Sequence, residues 1–260
     1  MALVARKPIQ IFIAVQKALF WRELGMRFST SKTGLFWTFF APFFQVFVFS
    51  VIRGAVLHHD TPYSYPLFMA VGFIAFNFFT AISIKSMGAF EANRGLFVYK
   101  QVKPIDTIIG RALVELYITS IIIVAFLAIG FYAGEEIVPQ NIPMLVVGFF
   151  WLMIFGIGVG TLLAVGNTFF PAIGKLISVS TILLMFASAL FYSVETLPPF
   201  AREIVLYNPL THFMEMLHAA YIRELDDRFV DYEYMLLWTL GVLYFGLWFY
   251  RKLEERIISQ

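Results

Sequence analysis

Residues 67–84 read LFMAVGFIAFNFFTAISI. These positions hold one Asn, one Thr and one Ser, and no charge. A helix crossing the hydrocarbon core of a bilayer needs about 20 predominantly apolar residues. The stretch therefore predicts a transmembrane span over 66–90. It is followed by a short polar run, EANRGLFVYKQVKPID (91–106), in which charge and apolar side chains are mixed.

Working outward, five more stretches read the same way. Residues 34–57 form a span that Pro42 should bend. Residues 108–132 close on VAFLAIGFY, and 142–166 carry Gly156, Gly158 and Gly160. Residues 173–193 and 233–250 complete the set, the last with Tyr and Trp at its ends as an aromatic belt requires. Bulk composition agrees. The chain is 60% hydrophobic and 14% charged over 260 residues, whereas a soluble domain is about 25% charged. There is no cysteine, which excludes disulfide, iron–sulfur and thiolate chemistry. Residues 8–31 are apolar but interrupted; Arg6, Gln10, Gln16, Lys17, Glu23 and Arg27 fall in one helical sector. They read as an amphipathic helix in the membrane interface, or as a poor first span. The first residues lack the pattern of a cleavable signal peptide.

Charge orients the spans. With the N-terminus in the cytoplasm, fifteen of nineteen basic residues fall inside, leaving Arg53, Arg202, Arg223 and Arg228 outside. The outer loops are acidic, with Glu135, Glu136, Glu224, Asp226, Asp227, Asp231 and Glu233. This bias sets both termini in the cytoplasm. The connection 194–231 is external and long. Within it 200–206 and 209–222 read as two short helices broken at Asn208–Pro209. They either dip back into the outer leaflet, shielded by protein, or lie on the outer surface. The expected fold is thus an all-α integral membrane protein forming a single unit over 1–260. It has six transmembrane helices, an N-terminal interface helix and two short external helices at 200–222.

Several chemistries are missing. The nearest string to a nucleotide-binding loop, Ala172-Ile173-Gly174-Lys175-Leu176, lacks the first glycine and the Ser/Thr that holds magnesium. His212, Glu215 and His218 spread over about 120° of a helix, wider than the i, i+4 pair of a zinc protease; capping and interfacial roles suit them better, and no metal site is expected. His58–His59 reads as a solvated turn. The span centres hold no charge, which speaks against a proton- or sodium-driven carrier. Glu91 with Arg94, and Arg111 with Glu115, have the spacing to pair locally. Gly156-x-x-x-Gly160 reads as a helix-packing site. The positive signal is aromatic: 31 phenylalanines, with Trp37, Phe40, Phe44 and Phe47 on one face of the first span. Such a face either lines a path for the apolar faces of sugars or simply meets lipid.

SMGAFEANRGLFVYKQVKPIDTIIGRAL (86–113) closely resembles the permease of group 2 capsule exporters, in the ABC-2 class of ABC transporters. YNPLTHFME (207–215) is similar to an Asn-Pro segment shared more widely among polysaccharide permeases. The resemblance covers essentially the whole chain and places it in the bacterial inner membrane. It implies two copies of the chain above two separate ATP-binding subunits, which alone bind ATP and Mg. Residues 91–103 would be the coupling helix, with Glu91, Asn93, Arg94, Leu96, Phe97, Tyr99 and Lys100 meeting the ATPase. The cargo it implies is a lipid-linked acidic glycan, whose anionic head Lys17, Arg22 and Arg27, with Arg94 or Lys100, would receive at the cytoplasmic rim. It also implies a periplasmic polysaccharide co-polymerase adaptor and an outer-membrane export protein. Tyr207, Asn208, Pro209, His212 and Glu215 are the candidate external gate or adaptor contact. No nucleic-acid partner is expected. Another cargo (O-antigen, teichoic acid or a drug) and a non-transporting scaffold or channel are the alternatives.

Overall fold

A computed structural model describes residues 7–29, 32–56, 62–134 and 137–259. His58–His59 and Glu135–Glu136 lie outside the described residues. The described residues are helical, with no strand among them. In chain order the helices are α1 Pro8–Ser29, α2 Lys32–Val56, α3 Tyr65–Ile82, α4 Ala89–Ala92 and α5 Pro104–Ala133. There follow α6 Ile142–Phe169, α7 Ala172–Ala187, α8 Pro199–Leu206, α9 Pro209–Tyr221 and α10 Tyr232–Ser259.

Three stretches are long and apolar enough to cross a bilayer: Tyr65–Ala92, Pro104–Ala133 and Ile142–Phe169. Phe36–Ile52 within α2, and α7, are apolar but shorter. α10 has the length, but Trp238, Tyr244 and Trp248 and the charges from Arg251 onward make it less apolar.

Helix ends depart from the sequence expectation for local reasons. The span expected over 66–90 leaves α-geometry after Ile82. Ser83 and Ser86 turn their hydroxyls back onto the Phe79 and Ile82 carbonyls, at 2.7 and 2.5 Å. Such back-bonding bends a helix, and Ile84–Gly88 continues as a 3₁₀ turn. The span expected over 173–193 stops at Ala187. The Asn208 amide and the Thr211 hydroxyl both donate to the Ala187 carbonyl, at 3.1 and 3.0 Å. Ala189 then sits at φ 54°, a left-handed turn that a residue with a Cβ adopts only at some cost. The last helix, expected over 233–250, runs on to Ser259, because 251–259 contains no helix breaker.

α3 is the centre of the assembly, with thirteen of its eighteen residues buried. It packs against α2, α5, α6 and α9. Phe79 stacks on Phe155, and Phe155 on Phe213, which joins α3, α6 and α9 through one column of rings. Two glycines let α6 approach its neighbours. A Cβ on Gly160 would lie 2.9 Å from the Ile82 carbonyl, and one on Gly158 would lie 2.8 Å from Val242 and 3.0 Å from the Leu243 amide. Backbones meet closely at such small residues in membrane helix pairs. Gly158→Leu should therefore push α10 off α6, destabilising the fold by about 1–3 kcal/mol. Gly241 has open space around it, so Gly241→Ala should be neutral or stabilising. Thermal unfolding of the detergent-solubilised variants measures both.

Candidate functional site

The segment after α3 is a chain of short turns rather than one helix. The 3₁₀ turn Ile84–Gly88, α4 and a second 3₁₀ turn at Arg94–Leu96 follow one another, and the chain enters α5 at Lys103. Asp106 closes the entry by accepting the Lys103 amide at 2.8 Å. The continuous helix expected over 91–103 is thus broken, at Asn93 and again after Leu96. Its residues divide into two sets. Asn93 and Phe97 are buried, and Leu96 is half-buried. Glu91, Arg94, Tyr99 and Lys100 are exposed, as is Val98 at 82%. The inward set roots the segment in a second apolar cluster. In it Ala89, Phe90 and Phe97 meet Ile108 of α5, Ala164 and Val165 of α6, and Tyr250 and Ile257 of α10. The outward set is a mixed charged and apolar surface that no described residue covers.

α1 lies along α5, and Gln16, Glu23 and Arg27 of its polar sector turn inward. Gln16 donates to the Asp106 carboxylate at 3.3 Å. Glu23 pairs with Arg111 at 3.1 Å, and Arg27 pairs with Glu115. The Arg111 guanidinium also reaches the Lys85 carbonyl, and Arg22 donates to Asn93 at 2.6 Å. Arg111 and Glu115 thus pair across to α1 rather than with each other. The reason is geometric: Asp106, Arg111 and Glu115 face a helix with complementary groups, and a buried charge gains most from a partner that also shields it. Gly110 permits the approach, since a Cβ there would lie 3.1 Å from Leu19. Of the rim candidates on α1, Arg22 and Arg27 are committed to these ties, while Lys17 is exposed. The outer face of α1 is apolar, with Ile9, Phe12, Ile13 and Trp21 exposed.

α9 enters the core. Asn208 caps it, accepting the Leu210 amide at 3.0 Å while its own amide holds Ala187 and Ser188. Pro209 takes the first helical position, where no N–H is missed. Ten of the thirteen residues of α9 are buried, between α3, α6 and α10. His212, Glu215 and His218 go to three different partners. His212 accepts the Asp231 amide on Nδ1 at 3.1 Å and so donates from Nε2 to the Leu206 carbonyl at 2.9 Å. Glu215 accepts the Val194 amide at 2.9 Å. His218 stacks on Phe68, with centroids 3.8 Å apart, and contacts its carbonyl at 3.1 Å. Burial holds His218 neutral, its pKa pushed down to about 3, and raises the Glu215 carboxyl to about 7, helped by the nearby Glu195 and Asp226 carboxylates. Among the described residues no cluster of such groups is arranged to hold a metal ion. Of the five external candidates, only Tyr207 is a surface residue; Asn208 and Pro209 are half-buried and His212 and Glu215 buried. α8 instead presents Phe200, Ile204 and Tyr207 outward. Their i, i+4, i+7 spacing was the sequence signal for that face, and sequence reading overlooked it.

Trp37, Phe40, Phe44 and Phe47 are exposed along α2. Phe36, Phe40 and Phe44 form a continuous stack, with centroids 4.8 and 5.6 Å apart. The opposite face of α2 is occupied: Phe43 stacks on Phe126 at 4.1 Å, and Gln45 accepts from Asn77 at 2.9 Å. α7 has no buried residue, and Leu176, Val179, Ile182, Leu183 and Phe186 are open.

The model of the ABC-2 type transporter family matches residues 15–222. Among curated proteins, the chain is 33% identical over 257 residues to a polysialic acid transport protein, KpsM, of Escherichia coli, covering 98% of this chain and 100% of that one. It is 26% identical over 257 residues to the capsule polysaccharide export inner-membrane protein CtrC of Neisseria meningitidis serogroup B, covering 95% and 96%. It is also 24% identical over 246 residues to the O-antigen export system permease protein RfbA of Klebsiella pneumoniae, covering 90% of each.

The buried carboxyl of Glu215 makes a pH test. Its folded pKa, about 7, lies above the ordinary 4.5, so the folded state holds its proton more tightly than the unfolded state does. The stability it contributes is present below about pH 4.5 and is lost as pH rises through 7. Thermal unfolding should show a decline in melting temperature between about pH 5 and 8, and Glu215→Gln should flatten it.

Proposed function

The chain belongs to the ABC-2 type transporter family, and on that premise we propose that it is the permease subunit of an inner-membrane exporter of lipid-linked capsular polysaccharide. ATP is hydrolysed in a separate subunit. The observation that carries this reading is the near full-length likeness to capsule permeases, coupled to a segment at 91–103 that is rooted in three helices and open on its outer side.

In this reading six elements cross the bilayer: α2, the α3–α4 stretch, α5, α6, α7 and α10. α7 contributes about 24 Å at 1.5 Å per residue, and the buried turn through Ser188, Leu190 and Val194 completes its passage. The basic segments, both termini and α1 face the cytoplasm. α1 sits at the membrane interface, with Ile9, Phe12, Ile13 and Trp21 toward lipid. α9 re-enters from outside; the carbonyls and amides of its ends are met by protein, the condition for non-spanning backbone at membrane depth.

Two copies of the chain meet two ATPase subunits at 91–103. Glu91, Arg94, Val98, Tyr99 and Lys100 form the contact, while Asn93, Leu96 and Phe97 hold the segment to its own helices. ATP-driven closure below tilts the helices that share the second cluster. The glycan passes along the exposed aromatic faces, with Trp37, Phe40, Phe44 and Phe47 offering flat partners to sugar rings. Lys17 keeps its charge available at the cytoplasmic rim for an anionic lipid head. Tyr207 and the outward face of α8 are the contact for a periplasmic adaptor leading to the outer-membrane export protein. An O-antigen cargo is the second reading, favoured by the 24% identity to RfbA.

Val98 and Tyr99 are 82% and 65% exposed, so Val98→Asp and Tyr99→Asp should leave the melting temperature unchanged. Each should weaken co-purification with the ATPase subunit, and export, by about tenfold or more, the usual scale for a central interface anchor. Undiminished binding would remove 91–103 as the joint. For cargo, stimulation of the complex's ATPase activity by a defined capsule glycolipid, and not by an O-antigen glycolipid, is the expected result.

A further inference from the structure

Two chambers lie one against the other where α3, α5 and α6 meet the end of α9. The inner one, about 500 Å³, is lined almost wholly by apolar side chains, among them Ala70, Ile74, Ile123, Phe126, Leu145 and Phe149. The outer one, about 270 Å³, is lined by Ser64, Arg223 and Glu224 together with Tyr63, Gly134 and Val138. Leu67 and Tyr221 belong to both linings, so the two chambers adjoin at these side chains. The Tyr221 hydroxyl donates to the Ile137 carbonyl at 3.0 Å, which ties that junction to the α5–α6 connection.

Protein interiors leave few voids larger than a water molecule, and an apolar cavity does not retain water. A void of 500 Å³ falls in the range of ligand sites. It is open to the surface at Val146 and Phe150, each about half-exposed, on helices long and apolar enough to cross a bilayer. The molecule at hand there is a membrane lipid. The outer chamber says which kind. Among the described residues Arg223 and Glu224 make no ion pair, and the Ser64 hydroxyl is buried with no partner. A guanidinium, a carboxylate and a free hydroxyl at the mouth of an apolar slot match a headgroup that carries both charges.

We propose that the two chambers hold one zwitterionic phospholipid, an acyl chain in the apolar slot, its phosphate at Arg223 and Ser64, and its ammonium at Glu224. The site assigns α3, α5 and α6 a bound lipid. It rests on the proposed orientation only for its leaflet, the outer one. The permease with its ATPase subunits, reconstituted in bilayers of equal parts phosphatidylethanolamine and phosphatidylglycerol and released for native mass spectrometry, should retain phosphatidylethanolamine. Arg223→Gln, a surface change, should lower that retention about tenfold, the scale of one hydrogen bond to a charged group. Ala70→Phe, which fills the slot, should abolish it. Equal retention of both lipids, retention of neither, or undiminished retention by Arg223→Gln would overturn the proposal, as would displacement of the lipid by a lipid-linked glycan. The chain has no cysteine, so labelling of Glu224→Cys by an impermeant maleimide reads the leaflet separately.

Discussion

A polar group carried into a helix assembly that faces lipid must find its partner within the protein, because the surroundings offer none. Much of this structure follows from that constraint. Ser and Thr hydroxyls along the helices return their protons to carbonyls one turn back, as Thr161, Thr168, Ser180 and Thr181 do. Trp151 spends its indole N–H on Thr239, tying α6 to α10. The charges of α1 and α5 close on one another in a seam from Gln16 to Arg27, and α9 enters the interior with partners for Thr211, His212, Glu215 and the Nε2 of His218, while His218 Nδ1 is buried without one.

The same seam explains why α1 has its apolar side outward. In water a helix hides its apolar stripe and shows its charges. Here Glu23 and Arg27 are turned against α5, and Ile9, Phe12, Ile13 and Trp21 are shown. That inversion was only half legible in the sequence. The sector holding Gln16, Glu23 and Arg27 can be read from helical spacing, but spacing does not say what the sector faces. Local pairing of Arg111 with Glu115 was the natural reading of an i, i+4 pair. It failed because α1 supplies each of them with a partner from another helix, which one-dimensional spacing cannot represent.

Other features were legible to different depths. Long uncharged runs announce α3, α5 and α6 unambiguously, since length and apolarity are properties of the chain itself. α8 and α9 are readable as helices from Pro209 and the Asn208 cap. The burial of α9 is not, because its mean composition, with two histidines and a glutamate, resembles that of a surface helix. Its depth goes with tertiary partners for His212, Glu215 and the Nε2 of His218. In the segment after α3, residue types suggested a contact surface, and the structure sorts them: Phe97 and Asn93 face inward and Val98 and Tyr99 outward. No pattern of period two or 3.6 encodes that division, since the backbone there alternates between short helical turns.

α10 brings the two ends of the molecule into one object. It runs unbroken for 28 residues, about 42 Å at 1.5 Å per residue. Near its start Tyr234 donates to the Tyr207 carbonyl and packs beside His212; near its end Tyr250 faces Phe90 of α4. A rod of that stiffness has no slack. In the proposed mechanism a tilt imposed at Phe90 would reach Tyr207 through this one helix, with no loop between. In the proposed topology the two faces of the membrane would be joined by this one unbroken element.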